Sequence, residues 1–237
     1  RRELSSYLVS PAAFITMFVA LVWTGIGFCW AVSSYRGESV RVDVLLFLPT
    51  TLWGMVAIAA TVIPMRLLAE EKRSGTIEAL MTMPVTEVQV VLGKYAAALT
   101  LFVLMFAPTV AYVPILKEFS SGMERLDYNT VLSGYLIFFL IGSFYLSVGL
   151  FMSALSNSQV VAAILTFCVF FLIFLAGALT KVFGSAAGAV LEYIFPFSHI
   201  YDFSRGVVDT GPIVFYLSGV ALMLFSTVKA VESRRWI

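Results

Sequence analysis

The chain has 237 residues, of which 60% are hydrophobic and 12% charged, with a net charge of +1. Water-soluble domains carry about a quarter charged residues, so a soluble globule is excluded. The near-neutral balance gives no bulk electrostatic case for nucleic acid. The charges are clumped, and the charge-free runs between them set the architecture.

The first such run extends from Leu4 to Tyr35. A bilayer core takes about 20 apolar residues of helix to cross, and the run predicts a span at 12–33. It is too long for a cleaved signal peptide and lacks a clear small-x-small cleavage site, so it reads as a retained span. The runs Val44–Met65 and Tyr95–Leu116 predict spans at 44–67 and 93–116. The run Tyr128–Thr180 is long enough for two, at 129–153 and 159–180, broken by the turn-forming "SALSNSQ". A last run, Thr210–Val228, predicts a span at 211–230. No alternating segments of about ten residues suggest a membrane barrel. The expectation is an all-α integral membrane protein, a single domain with a bundle of six transmembrane helices.

Six crossings put both termini on one side. With that side cytoplasmic, Arg1, Arg2, Arg66, Lys72, Arg73, Lys94, Lys229, Arg234 and Arg235 lie inside. Fewer basic residues (Arg36, Arg41, Lys117, Arg125, Lys181 and Arg205) then lie outside, and the positive-inside rule favours this orientation.

Between the second and third spans lies "EEKRSGTIEALMTMP", Glu70 to Pro84. Ser74 and Gly75 break the preceding helix. Ile77, Leu80 and Met81 then share one face of a short amphipathic helix that Pro84 ends. Thr86 with Gln89 makes a capping box, and Val85 with Val90 a hydrophobic staple, so the next helix starts at Thr86 and runs into the third span. Periodicity alone leaves open whether this elbow anchors to lipid or docks a cytoplasmic partner.

Between the last two spans, 182–209 holds "VFGSAAGAVLEYIFPF", too short to cross with Glu192 inside it. It predicts a short re-entrant or interfacial hairpin. Asp202 with Arg205, and Arg205 with Asp209, stand at helical pair spacing.

The predicted span interiors carry no charge, which disfavours an ion-coupled transporter. Thr50, Thr51, Thr61, Thr100, Thr109 and Thr166 are expected to bond mostly to their own helices. His199 stands outside the spans and reads as an interfacial polar residue rather than a catalyst. Cys29 and Cys168 read as buried small hydrophobes, not a disulfide or metal site. Gly93-Lys94 is not a phosphate loop, because Val88 stands where the first glycine is required. Pro49, Pro64, Pro108 and Pro114 shape or hinge the spans. The pairs Ser143/Ser147 and Gly149/Ser153 allow close helix approach.

"EEKRSGTIEALMTMPVTEVQVVLGK", Glu70 to Lys94, resembles the sequence mark of the type-two exporter class of ABC transporter permeases: an acidic pair, a basic pair, Ser-Gly-Thr, Glu-x-Leu, a proline and a later Gly-Lys. "YLVSPAAFI", "SALSNSQVVAAIL" and "FSRGVVDTGPIVFYLS" extend the resemblance over nearly the whole chain. The last is closest to the gliding-motility-type permease subunit.

The resemblance implies that the elbow is a coupling helix seated in a groove of a separate ABC ATP-binding subunit. The matching positions are Glu70, Glu71, Lys72, Arg73, Ser74, Gly75, Thr76, Glu78, Leu80 and Pro84. Arg73 and Glu78 are the strongest individual candidates, while Glu71 and Arg73 could instead bridge each other or neighbouring spans. It also implies a second permease subunit, identical or related, in a bacterial cytoplasmic (inner) membrane. ATP and magnesium would be held by the partner, with no cofactor or catalytic site in this chain. The expected activity is ATP-driven export. A mechanical transducer acting on a periplasmic or accessory protein, without moving a substrate, is the alternative.

Overall fold

The computed structural model describes residues 11–34, 50–75, 86–119, 128–179 and 193–233. Among these, six helices are long and apolar enough to cross a membrane, and no strand occurs. The expected all-α six-helix bundle is the architecture found.

In chain order the helices are α1 (Pro11–Ser34), α2 (Thr50–Met65), α3 (Ala69–Arg73), α4 (Glu87–Phe106), α5 (Tyr112–Phe119), α6 (Tyr128–Leu155), α7 (Gln159–Leu179), α8 (Pro196–Phe203) and α9 (Thr210–Glu232). A 3₁₀ segment, Ala107–Ala111, joins α4 to α5 within one crossing. Pro108 sits in its first turn and cannot donate a backbone hydrogen bond, which explains where the α-helical ladder breaks. Side-chain hydroxyls gather at this break. Thr109 Oγ1 donates to the Phe106 carbonyl at 2.6 Å and lies 3.2 Å from the Tyr135 hydroxyl. Tyr112 stacks on Phe28 and places its hydroxyl 3.4 Å from Thr24 Oγ1.

Helix α6 is the centre. It packs against α2, α4, α7, α8 and α9, while α1 lies outside α2 and α4. The most apolar windows of the α2 and α6 spans are each 61% buried, against 22% for α1, 17% for α7 and 22% for α9. The outer three present large side chains outward, such as Phe14, Phe18 and Trp30 on α1 and Phe171 and Leu172 on α7. This is the pattern of a bundle solvated by lipid, where apolar surface gains little by being inside.

Cohesion then depends on close fit. Phe102, Phe106 and Phe138 pack ring against ring between α4 and α6. A Cβ at Gly142 would lie 2.4 Å from the Phe102 ring. Gly149 is tighter: its missing Cβ would meet Pro64 Cγ at 2.4 Å and the Ala60 carbonyl oxygen at 2.7 Å. Pro64 cannot donate to that carbonyl, and α6 comes up against the freed oxygen through a residue without a side chain.

Most of the threonine hydroxyls behave as expected, but Thr51 Oγ1 departs, being buried with no hydrogen-bond partner. Thr61, Thr100 and Thr166 donate to their own helices at i−4. Other expectations are corrected. Cys29 and Cys168 are both exposed on the outside of the bundle rather than buried, because small apolar groups cost nothing at a lipid-facing surface. Arg205 makes neither of the ion pairs expected from its spacing. Helix α8 ends at Phe203, and Gly206, at φ 79°, turns the chain, so Asp209 is not on the same helix. The Arg205 guanidinium lies over the Tyr201 ring instead, 4.1 Å from its centroid.

His199, on α8, lies outside the candidate spans and is buried within the protein. Its Nδ1 lies 3.0 Å from the Tyr216 hydroxyl of α9. Burial holds its pKa below the usual histidine value, against the opposing pull of Asp202 and Asp209. The imidazole is therefore held towards its neutral form, as a tie between α8 and α9 rather than a charged group. Of the expected hairpin, the part at 182–192 lies outside the described residues. The remainder packs onto α6, with Ser133 Oγ donating to the Phe203 carbonyl at 2.8 Å.

Candidate functional site

The elbow after α2 begins with three turn residues and continues as the short helix α3. Its sequence suits so short an element. Glu70 and Glu71 stand in the first turn and Lys72 and Arg73 in the last, each sign opposite the helix-end charge it faces. The Ser74 and Gly75 amides donate to the Glu70 and Lys72 carbonyls, and Gly75 leaves the helix at φ 71°, a conformation that costs other residues more. Gly75 is thus the stop signal expected of it.

The start of α3 is capped from another helix. Leu68, the residue before α3, makes no side-chain cap. Ser153 of α6 takes that place: its Oγ accepts from the Leu68 and Ala69 amides at 3.2 and 3.0 Å, and donates to the Met65 carbonyl at 3.2 Å. Ser153, Leu68 and Ala69 are all buried, so water cannot substitute. Ser153→Ala is expected to cost about 1–2 kcal/mol, the range for losing an N-cap or stranding a buried donor. The check is amide hydrogen exchange, which accelerates at Leu68 and Ala69 ahead of the rest of the bundle.

The four charges of α3 divide into two pairs. Glu70 and Arg73 are exposed, as is Arg66 just before them. Glu71 and Lys72 fold back against the bundle. The Lys72 ammonium donates to the Ala154 carbonyl at the end of α6, where a cation meets the negative end of the helix. Glu71 Oε1 meets the Lys94 ammonium of α4 at 2.5 Å, with Lys94 side-chain exposure at 3% and Glu71 at 23%. Of the bridges left open by the sequence, Glu71 makes the one to a neighbouring span.

Lys94 lies in the stretch of helix expected to run from Thr86 into the third span, and it is buried there. The capping box of Thr86 and Gln89 forms as expected, and it starts α4 at Glu87. Lys94 therefore sits seven residues into the helix, about 10 Å from its start. Ser153 and Lys94 are the positions of this site that sequence reasoning missed. Small-residue spacing marked Ser153 for packing, and Lys94 entered as a failed phosphate loop and as the Gly-Lys that closes the family resemblance, with neither given a partner. Thr76, Glu78, Leu80 and Pro84, and the staple residue Val85, lie outside the described residues.

Among the described residues, the arrangement is one of capping and ion pairing. It is a structured projection whose inner charges are spent on α4 and α6 and whose outer charges remain presented. A protein-family model described as "ABC-2 family transporter protein" matches residues 33–228, from the end of α1 to near the end of α9. The search of curated proteins found no match.

Proposed function

Because the chain belongs to the ABC-2 family of transporter proteins, we propose that it is the membrane-spanning subunit of an exporter driven by ATP hydrolysis on a separate chain, and that the drive enters at the elbow. The chain is a multi-pass membrane protein and a permease component. In this reading the elbow end faces the cytoplasm of a bacterial cell, both termini lie on that side, and a second permease chain, identical or related, completes the pathway. ATP and magnesium belong to the partner.

The division of charge on α3 carries this reading. A loop that only joined two spans would have no reason to hold a rigid, capped helix with Glu70 and Arg73 turned outward. Exposed charges at the rim of an apolar contact set orientation and partner choice. Thr76 to Pro84 would extend the same surface, with Leu80 as an apolar anchor and Glu78 as a further charge.

Reversing charge at Arg73, alone and with Glu78→Lys, is expected to weaken capture of the ATP-binding subunit by about fivefold or more, the usual threshold for a contributing interface residue. Insertion of the permease should be unchanged. Copurification at wild-type levels would remove Arg73 from the docking surface. In proteoliposomes, ATP-dependent movement of a substrate supports export. ATPase activity raised only by a periplasmic protein would instead mark a force transducer.

A further inference from the structure

We propose that Glu71 and Lys94 are a transmission latch, a positioning pair that, with Ser153, makes α3, the start of α4 and the end of α6 move as one body. The proposal rests on the reading that force enters at the elbow, and its first readout below does not depend on a partner.

Among the described residues, the backbone runs into α3 from α2, through the turn at 66–68. Three side-chain contacts widen that connection. Ser153 holds the entry of α3 to α6, Lys72 ties its last turn to the α6 carbonyl of Ala154, and Glu71 ties its middle to α4 through Lys94. The helices so joined are α2, α4 and α6, whose span windows are the three most buried. The outer helices α1 and α9 receive none of these bonds. A displacement of the elbow is thus passed directly to these three.

The chemistry of the pair argues for a role beyond holding the fold. An ammonium as enclosed as that of Lys94 loses most of its hydration, and apolar residues of similar volume would pack there at no greater cost. What the ion pair adds is direction and a sharp distance dependence. The contact holds at one placement of α3 and fails when α3 shifts by a few ångströms, which is the behaviour of a two-position coupling element rather than of filler.

The test uses the full chain in nanodiscs, with Cys29→Ala and Cys168→Ala as background and spin labels at Arg73→Cys and Val88→Cys, both exposed positions. The latch predicts a narrow distance distribution in the otherwise wild-type chain. Glu71→Gln broadens it, and the exchange Glu71→Lys with Lys94→Glu narrows it again. An unchanged width in Glu71→Gln, or no recovery in the exchanged pair, overturns the latch. Should Glu71→Gln not fold, Glu71→Asp keeps the charge on a shorter arm and is expected to broaden the distribution likewise.

The second readout adds the ATP-binding subunit to unlabelled protein. Glu71→Gln should lose less capture than Arg73→Glu does, yet lose transport per ATP by about fivefold or more, the lower end of ordinary coupling energies. Capture lost to the extent seen with Arg73→Glu would make Glu71 a docking contact and end the proposal. If the unmutated chain captures no such subunit, the docking reading fails while the label distances still decide the latch.

Discussion

Purified Glu71→Gln protein is expected to unfold more readily than wild type, by about 3 kcal/mol, in thermal or denaturant titration in a fixed detergent. Breaking a buried pair by removing one partner costs about 3–5 kcal/mol because the surviving charge stays desolvated. The lower end applies here because Glu71 is 23% exposed and water already screens part of the pair. Lys94 bears the loss: its side chain is 3% exposed and seven residues from the helix start, so reaching water requires α4 or α3 to move. The double variant Glu71→Leu with Lys94→Met should recover to within about 1 kcal/mol of wild type, since exchanging a whole buried pair for apolar groups is often neutral. A Glu71→Gln protein as stable as wild type would mean that the ammonium has found other partners. A double variant as damaged as the single would mean that the pair itself, and not the stranded charge, supplies the stability.

Gly149→Val is expected to be damaging too, through steric exclusion. The new Cβ would fall 2.4 Å from Pro64 Cγ and 2.7 Å from the Ala60 carbonyl oxygen. The first is a ring fixed by its own backbone and the second is backbone, so no side-chain rotation relieves either contact. Helices α2 and α6 must separate, and overpacking of this kind costs about 1–3 kcal/mol and occasionally more. The expected outcome is loss of monodisperse protein on size exclusion at the temperature at which wild type is stable. Gly93→Ala is the control. That glycine is also helical, but a Cβ there meets nothing within 4 Å, and the better helix propensity of alanine should leave stability unchanged or slightly raised. Equal behaviour of the two variants would show that the α2–α6 contact is looser than these distances state.

Local features of this fold were legible in the sequence. Charge-free runs located the six crossings because a bilayer imposes length and polarity on each helix separately. The capping box at Thr86 and Gln89, the stop at Gly75 and the turn before Gln159 were legible because each depends on residues within a few positions. What escaped was long-range. Ser153 caps a helix 84 and 85 residues earlier, and Lys94 finds Glu71 across 23 residues that include a segment outside the described ones. No periodicity relates such positions. Cys29 and Cys168 were misplaced for another reason: burial rules written for water do not hold where the solvent is apolar. The pairs expected of Arg205 failed because spacing alone does not show where a helix ends.

The 3₁₀ segment at Ala107–Ala111 also alters the phase of the third crossing. An α-helix advances about 100° per residue and a 3₁₀ helix about 120°, so five residues rotate everything after them by roughly 100° relative to an uninterrupted helix. They also lengthen the crossing by about 2.5 Å. A helical wheel drawn straight from Glu87 to Phe119 would therefore misassign α5 by more than a quarter turn. The stack of Tyr112 on Phe28 belongs to the rotated frame. A substitution scan along this crossing should show two periodic patterns of tolerance, with the offset between them falling at Pro108.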